Sequence, residues 1–294
     1  MTDQDLPDRR RAAVERVARG RTVARWVDPD VAREQVERSF DDSRDRAWLL
    51  DVTDGDRVVG QVWVVLDGEE LAVFDAHLED PARVGELVAP LLALAREKGA
   101  RMLGVGGRPD DRTMQGLVEQ PGATPRAFNM LLELDRPIAD PGGLGLRPMT
   151  PRQFDAFIAV QGVSYADTMV EAGLSREAAD ERSRTQMAAL LPSGQDSPGM
   201  EFFHGWVGET VVGSLWLNVD QPMAFVYDVE VVEEQRRRGY GAALMNAAAI
   251  WSREHGHPVL GLNVFAHNAG AKALYDKLGY RVTVDYRTVD VPDA

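Results

Sequence analysis

The chain has 294 residues, 44% hydrophobic and 27% charged, and 47 acidic against 33 basic side chains give it a formal net charge of −14. This length suggests two domains, and the composition excludes fibrous, collagen-like and wholly disordered proteins. The absence of cysteine excludes disulfides, thiolate metal sites and cysteine nucleophiles, and the acidic charge argues against a nucleic-acid partner. The N-terminal residues lack the apolar core of a signal peptide and no stretch is long enough for a membrane span, so we expect a soluble, cytoplasmic protein.

The first segment with clear strand character recurs later in the chain. VVGQVWVVLD at 58–67 matches VVGSLWLNVD at 211–220, an offset of 153 positions, and further matches from Arg96 onward have an offset of 157. The order of the matches and the positions of Trp and Gly agree, which favours duplication over chance similarity. We therefore predict two copies of one unit, with domains at 1–137 and 146–294 and a linker rich in Pro and Gly at 138–145.

Local signals in the second copy predict strands and helices in turn. A strand at 145–149 precedes Thr150, Pro151 and Gln153, which supply the N-cap, first-turn proline and capping box of a helix. A second helix is expected from the cap Ser175 to residue 191. The other expected elements are strands at 202–207, 211–217, 224–232, 260–264 and 281–289 and helices at 241–255 and 268–278. This order predicts an α/β fold with helices on the faces of a sheet.

The segment at 236–241, between an expected strand and an expected helix, has the composition of an anion-binding loop. It reads Arg-Arg-Arg-Gly-Tyr-Gly. Glycines permit close backbone approach, and the free amides and dipole of a helix start attract negative charge. The loop lacks the Gly-Lys-Ser/Thr of a Walker motif and the third glycine of a dinucleotide fingerprint. We predict a pyrophosphate cradle; a glycine turn beside a solvated basic run is the alternative.

Two segments of the second copy resemble motifs of the GNAT N-acyltransferase superfamily. Residues 236–241 match its Q/R-x-x-G-x-G/A acyl-CoA motif, and residues 263–280 resemble its strand, asparagine and helix ending in L-Y-x-x-x-G-[YF]. The resemblance covers about 145–290 directly and 20–137 only through the repeat. It implies two tandem GNAT-like domains, each with a mixed, mostly antiparallel central sheet flanked by helices. It also implies acetyl-CoA as cosubstrate.

The same resemblance implies roles for individual residues of the second copy. Backbone groups of Val229 and Val231 would pair with the pantetheine arm and polarise the thioester oxygen, and Tyr275 would protonate the departing thiolate. No metal is implied. The residues expected to bind acetyl-CoA are Val229, Val231, Arg236, Arg237, Arg238, Gly239, Tyr240, Gly241, Ala242, Asn268 and Lys272.

The general base is the least defined part of this expected site. Family members often carry Glu or His at the positions of Phe225 and Tyr227, and neither residue here is a carboxylate or an imidazole. On a regular strand, Asp228 and Glu230 would lie on the opposite face from those two. We take Glu230, acting through a water, as the expected base, and an ion pair is the alternative for both carboxylates. No pattern selects a base among His204, His255, His257 and His267.

The first copy lacks the residues that would carry this chemistry. At an offset of 157, Asn268 corresponds to Asp111 and Tyr275 to Val118, and the glycine loop is reduced to residues 80–84. We therefore expect a degenerate first domain and a second domain that transfers acetyl directly to a primary amine, expected to be a small molecule. A non-catalytic acyl-CoA sensor and a purely structural protein are the alternatives, and the oligomeric state stays open.

Overall fold

A computed structural model describes residues 6–25, 27–171, 175–220 and 222–292. Residues 1–5, the start of the N-terminal segment in which no signal peptide was expected, lie outside these ranges. No helix in these ranges is long and apolar enough to cross a membrane. The helices are α1 (Leu6–Arg25), α2 (Pro29–Asp42), α3 (Val88–Glu97), α4 (Arg112–Val118), α5 (Pro151–Glu171), α6 (Arg176–Leu190), α7 (Tyr240–Glu254) and α8 (Ala269–Leu278). The strands are β1 (Ala47–Asp54), β2 (Arg57–Asp67), β3 (Glu70–Leu78), β4 (Met102–Gly107), β5 (Thr124–Glu133), β6 (Gly145–Pro148), β7 (Met200–Val207), β8 (Thr210–Asn218), β9 (Met223–Val231), β10 (Val259–Phe265) and β11 (Arg281–Asp290).

The chain divides into two compact units whose limits differ from those of the repeats. Unit 1 comprises Met1–Leu132 and Gly261–Ala294, and unit 2 comprises Glu133–Leu260. The difference arises because β11, the last strand of the second repeat, pairs antiparallel with both β4 and β5 of the first. The limits at 137 and 146 therefore describe the sequence repeats and stay a prediction for the domains.

Unit 1 contains a sheet with the strand order β1-β2-β3-β4-β11-β5-β10. The first three strands are antiparallel, and β3 runs parallel to β4. Helices α1 and α2 cover one face around the fully buried Trp63. The opposite face holds a second cluster that includes Val62 from β2, Leu91 from α3 and Leu117 from α4. Each face thus has its own apolar core.

Unit 2 contains the antiparallel strands β9-β8-β7-β6 in that order. On one face, Phe157 of α5 packs edge-on against Phe202 and Trp216, with ring centroids 6.2 and 6.4 Å away. On the other face, Leu244 of α7 packs with Val212. The mixed α/β architecture with a mostly antiparallel sheet, expected from the sequence, is confirmed.

The local signals of the second copy are confirmed as well. The backbone amide of Thr150 donates to Oε1 of Gln153 at 2.8 Å, which is the capping-box bond expected at the start of α5. The strands expected at 202–207 and 211–217 are β7 and β8, which form a hairpin that turns at Gly208 with a φ of 59°. Alternating strand patterns and cap residues were therefore sufficient to place these elements.

Candidate active site

The loop after β9 turns sharply before α7 begins. A short 3-10 turn covers Glu233–Gln235, and two left-handed positions follow, Arg237 with φ 61° and Gly239 with φ 85°. Arg237 is the one residue other than glycine with a positive φ within the described ranges. A Cβ added to Gly239 would meet no atom within 4 Å, so the loop is open on that side. Left-handed turns of this kind aim backbone amides into a concavity that suits an anion.

Helix α7 starts without a side-chain cap. Gly239 is its N-cap, and its first turn is closed by a hydrogen bond from the amide of Ala243 to the carbonyl of Gly239 at 3.1 Å. The amides of Tyr240, Gly241 and Ala242 therefore have no acceptor within the helix. Together with the helix dipole they form a set of donors for negative charge. The structure thus brings the loop residues expected from the sequence together around one group of amides.

Arg236 connects this loop to β9 through hydrogen bonds. Its Nε donates to the carbonyl of Val231 and its guanidinium NH2 donates to Oε1 of Glu230, each at 3.2 Å. Both charged side chains are about half exposed, so the pair adds little to folding stability. Arg237 and Arg238 are exposed. Glu230 is engaged in this pair, and its role as a base stays a prediction.

A bulge in β9 changes which of its side chains share a face. Asp228 pairs with Trp216 of β8, but the next residue of β8 pairs with Val226, which leaves Tyr227 as an extra residue. Paired residues on neighbouring strands point to the same side of a sheet. The register therefore places Asp228 on the same face as Phe225. The expectation that the two strand carboxylates lie opposite Phe225 is wrong, because the bulge shifts the alternation by one residue.

Asp228 is a partly buried carboxylate with a perturbed pKa. Its Oδ2 is shielded from solvent and has no hydrogen-bond partner among the described residues. Burial, and to a lesser extent the charge of Glu230, raises the pKa of Asp228 from 3.8 to about 6. On the same side of β9, the Tyr227 ring lies edge-on to Trp216 and Phe225, with centroids 5.3 and 5.8 Å apart. A carboxylate of this pKa can accept a proton near neutral pH.

The corresponding carboxylate of the first copy is bound by an arginine. At the offset of 153, Asp228 corresponds to Asp75, which is fully buried. Arg16 donates to Oδ2 of Asp75 from Nε at 2.9 Å and from NH2 at 2.7 Å, and it also donates to Gln61. Burial still raises the pKa of Asp75, against the opposing effect of Arg16. Each carboxylate has one buried oxygen without a partner among the described residues, Oδ1 of Asp75 and Oδ2 of Asp228. The copies differ because Arg16 binds the other oxygen of Asp75.

Two of the remaining predicted residues, Asn268 and Lys272, lie at α8 in unit 1. Asn268 is the N-cap of this helix and accepts from the amide of Ala271 at 3.1 Å. Lys272 donates from Nζ to both carboxylate oxygens of Asp276 at 2.8 Å. Both side chains thus have structural partners within the helix. Their contacts with acetyl-CoA stay a prediction.

Tyr275, the predicted acid, packs against a second tyrosine. Its side chain is 7% exposed, and its ring centroid lies 5.7 Å from that of Tyr280. The hydroxyl of Tyr280 is buried without a partner in the described part of the chain, and burial raises the pKa of this phenol. An ordinary phenol has a pKa near 10 and so carries its proton at neutral pH. Tyr275 therefore has the chemistry of an acid, and its role stays a prediction.

The first copy caps the turn that the second copy leaves uncapped. Asp80 accepts from the amide of Ala82 at 3.1 Å and caps the 3-10 helix that replaces the glycine loop. At the next motif the copies agree, because Asp111 accepts from the amide of Met114 at 3.0 Å and caps α4 as Asn268 caps α8. Val118, the counterpart of Tyr275, is buried. The copies therefore differ at the glycine loop and at the tyrosine position.

His204 has an environment that the sequence did not reveal. It is partly buried, its Nδ1 has no partner within the described residues, and burial lowers its pKa. The register places it opposite Ser214, on the same face as Asp228. The sequence signal that could have indicated this environment is the position of His204 within the strand expected at 202–207. Across the described ranges, no group of three or more His, Cys, Asp or Glu side chains is arranged to hold a metal ion.

Comparison with known proteins relates the chain to one family. The acetyltransferase (GNAT) family model matches residues 169–280. The uncharacterized N-acetyltransferase YycN of Bacillus subtilis is 32% identical over 144 residues, which are 47% of this chain and 92% of that protein. A mycothiol acetyltransferase of Thermobispora bispora is 31% identical over 249 residues, 76% of this chain and 81% of that protein. A GCN5-related N-acetyltransferase of Sphaerobacter thermophilus shares the fold, with a TM-score of 0.57 and 19% identity over 96% of this chain and 93% of that one.

Proposed function

This chain belongs to the GNAT acetyltransferase family and is an acyl-CoA-dependent acetyltransferase, and from this premise we propose that its second copy transfers acetyl from acetyl-CoA to a primary amine of a small molecule. The observation that carries the proposal is the contrast between the copies. The second copy has an uncapped helix start behind the left-handed residues Arg237 and Gly239, whereas Asp80 caps the equivalent turn of the first.

The loop residues fit the phosphates of acetyl-CoA. The amides of residues 237–242 supply donors, and the open space beside Gly239 leaves room for a pyrophosphate. The family resemblance adds backbone contacts from Val229 and Val231 to the pantetheine arm, with one of their amides stabilising the oxyanion of the tetrahedral intermediate. Acetyl-CoA supplies the thioester, and the chain supplies orientation and proton transfer.

Asp228 is the group best suited to accept the amine proton. A primary ammonium with a pKa near that of lysine, about 10, must lose a proton before its nitrogen can attack. Asp228 is ionised above about pH 6 and carries an unpaired oxygen, whereas Glu230 is bound to Arg236. We therefore prefer Asp228 to the expected base Glu230. The aromatic rings of Phe225 and Tyr227 on the same side favour a cationic acceptor.

The proposed reaction balances without a further reactant. The acceptor ammonium gives one proton to Asp228, and its nitrogen forms a bond to the thioester carbon. The tetrahedral intermediate then breaks the carbon–sulfur bond, and Tyr275 protonates the departing thiolate. The nitrogen, which carries a positive charge after its attack, loses its second proton to solvent. The proton held by Asp228 returns to Tyr275 through solvent, and acetylated amine, CoA and one proton are released.

An amine panel incubated with acetyl-CoA tests this proposal. Free thiol reports turnover, and mass spectrometry identifies the acetylated product. The panel includes alkyl amines, amino acids, amino sugars and a mycothiol-type amine, the last because several relatives bear the name mycothiol acetyltransferase. Turnover of a primary amine supports the proposal. Acetyl-CoA binding without turnover of any amine would instead support the sensor alternative.

A further inference from the structure

A cavity of about 890 Å³ lies in unit 1 at the outer edge of its sheet. Strands β1 and β2 and the end of β3 form one wall, and α3 forms the other. Asp228, Tyr275 and the loop at 236–241 do not line it. Its apolar lining includes Leu50, Val52, Val59, Leu78, Leu87 and Leu94.

The second copy shows what fills the equivalent position. In unit 2, Leu144 and Leu146 pack in one apolar cluster with Val212 and Leu244. A Cβ added to Gly205 would lie 3.5 Å from Leu144, so this leucine sits directly over β7. Leu146 belongs to β6, which pairs with β7. At the offsets of 153 and 157, the counterparts of Gly205, Val212 and Leu244 all line the cavity of unit 1: Val52, Val59 and Leu87.

The first copy lacks a counterpart of β6 within the described residues. Strand β1 is the outermost strand of its sheet, so one row of its backbone groups faces outward. Leu50 of β1 is 36% exposed at the cavity mouth, whereas its counterpart Phe203 is buried against Trp251. The cavity is therefore a groove with apolar walls and an open strand edge.

The rim of this groove is acidic. Six carboxylates line it against two arginines, Arg57 and Arg83. Arg57 binds Glu79 at 2.6 Å, and Arg83 binds both Asp54 and Glu86 at 2.8 Å. Arg9 and Lys98, outside the lining, bind Asp51 and Glu97, so the six carboxylates exceed their cationic partners by two. A basic segment would complement this charge and a carboxylate-rich segment would be repelled.

We propose that this groove binds an extended, basic segment of a partner protein, which adds as a strand beside β1. Two aliphatic side chains at alternate positions would enter the cavity, because residues that point to one side of a strand alternate. The chain's own β6 region supplies the template, with Leu144 and Leu146 at alternate positions and Arg147 beside them. This binding site is independent of acetyl transfer.

A labelled peptide with the sequence of residues 142–149, GGLGLRPM, tests the proposal against the full chain. We expect saturable binding by fluorescence anisotropy. Leu50→Lys should weaken it about 10-fold or more, because an apolar contact on the docking strand β1 is lost and a charge like that of the peptide is added. Val58→Lys is the matched control: Val58 is 50% exposed on β2 but does not line the cavity, so affinity should hold. Hydrogen exchange of the β1 amides should slow when the peptide is bound.

Three results would overturn the proposal. The first is absence of saturable binding at peptide concentrations up to about 1 mM, where even weak complexes form. The second is equal binding by the Leu50→Lys variant, or binding without slower exchange in β1. The third is a dimer in sedimentation experiments that Leu50→Lys dissociates and Val58→Lys does not, which would identify a second copy of this chain as the occupant.

Discussion

Asp75 and Asp228 occupy equivalent positions, and their neighbours give them different chemistry. Arg16 binds Oδ2 of Asp75 through two hydrogen bonds, whereas the charged residue that acts on Asp228 is the carboxylate Glu230. In the described part of the chain, Oδ2 of Asp228 has no partner, and neither has Oδ1 of Asp75. An ionised carboxylate that is removed from water without a partner is destabilised, and its pKa rises. Such a group lowers folding stability but is ready to accept a proton, as is common at catalytic sites.

The first prediction concerns the pH dependence of stability. The pKa of Asp228 in the folded protein, about 6, lies above the ordinary value of 3.8, so its favourable contribution to stability is present below about pH 4 and is lost as pH rises through 6. Asp228→Asn should therefore raise Tm relative to wild type more at pH 8 than at pH 5, by on the order of 5 °C. Differential scanning calorimetry at both pH values measures this. The same Tm difference at the two pH values would show that Asp228 ionises normally in the folded protein.

The second prediction uses the two neighbouring tyrosines as a matched pair. Tyr275→Phe removes the proposed acid and should lower kcat by about 100-fold, the scale of one proton-transfer group, with the Kd of acetyl-CoA unchanged. Tyr280→Phe removes a buried hydroxyl without a described partner and should keep kcat. Steady-state kinetics and calorimetric titration of both variants measure this. Equal kcat values for the two variants would assign Tyr275 to packing.

At the scale of elements, the junction of β9 and α7 contains the loop and the carboxylate on which the proposed function rests. Its bulge at Tyr227 turns Asp228 to the face of Phe225, and its loop leaves the first amides of α7 free. The sequence predicted the loop, because glycine spacing and a helix start are local signals. It did not predict the bulge, because an extra residue in β9 becomes visible only through its pairing with β8.

The third prediction tests the loop. Gly239→Ala forces a Cβ onto a left-handed position at a cost of about 1 kcal/mol, and displacement of the amides should weaken acetyl-CoA binding about 10-fold. Gly208→Ala is the control, since this hairpin glycine also has a positive φ and open surroundings. Calorimetric titration should show normal affinity for the control. A similar loss of affinity in both variants would attribute the effect to general strain.

At the scale of the whole molecule, the second repeat contributes its last strand to the sheet of the first. Strand β11 of the second repeat completes the sheet of the first by pairing with β4 and β5. The sequence predicted two copies because their strand patterns match in order. It predicted a boundary at 137 and did not predict that residues 261–294 belong to unit 1, because pairing between segments far apart in the chain leaves no local signal.

The fourth prediction follows from this pairing. A fragment of residues 1–137 lacks β11 and leaves β4 with an unpaired edge, so we expect it to aggregate or to unfold without a cooperative transition. The full chain should unfold cooperatively. Circular dichroism during urea titration compares the two. A fragment with native-like, cooperative unfolding would establish 1–137 as an independent domain.

The pH profile of kcat/KM for acetyl transfer tests the central claim most directly, because it reports the base of the second copy. For wild type we predict a rising limb at about pH 6, where Asp228 loses its proton, and the limb should persist in Glu230→Gln. Asp228→Asn should lose the limb and about 100-fold in rate. An Asp228→Asn enzyme with the wild-type rate and profile would contradict the account.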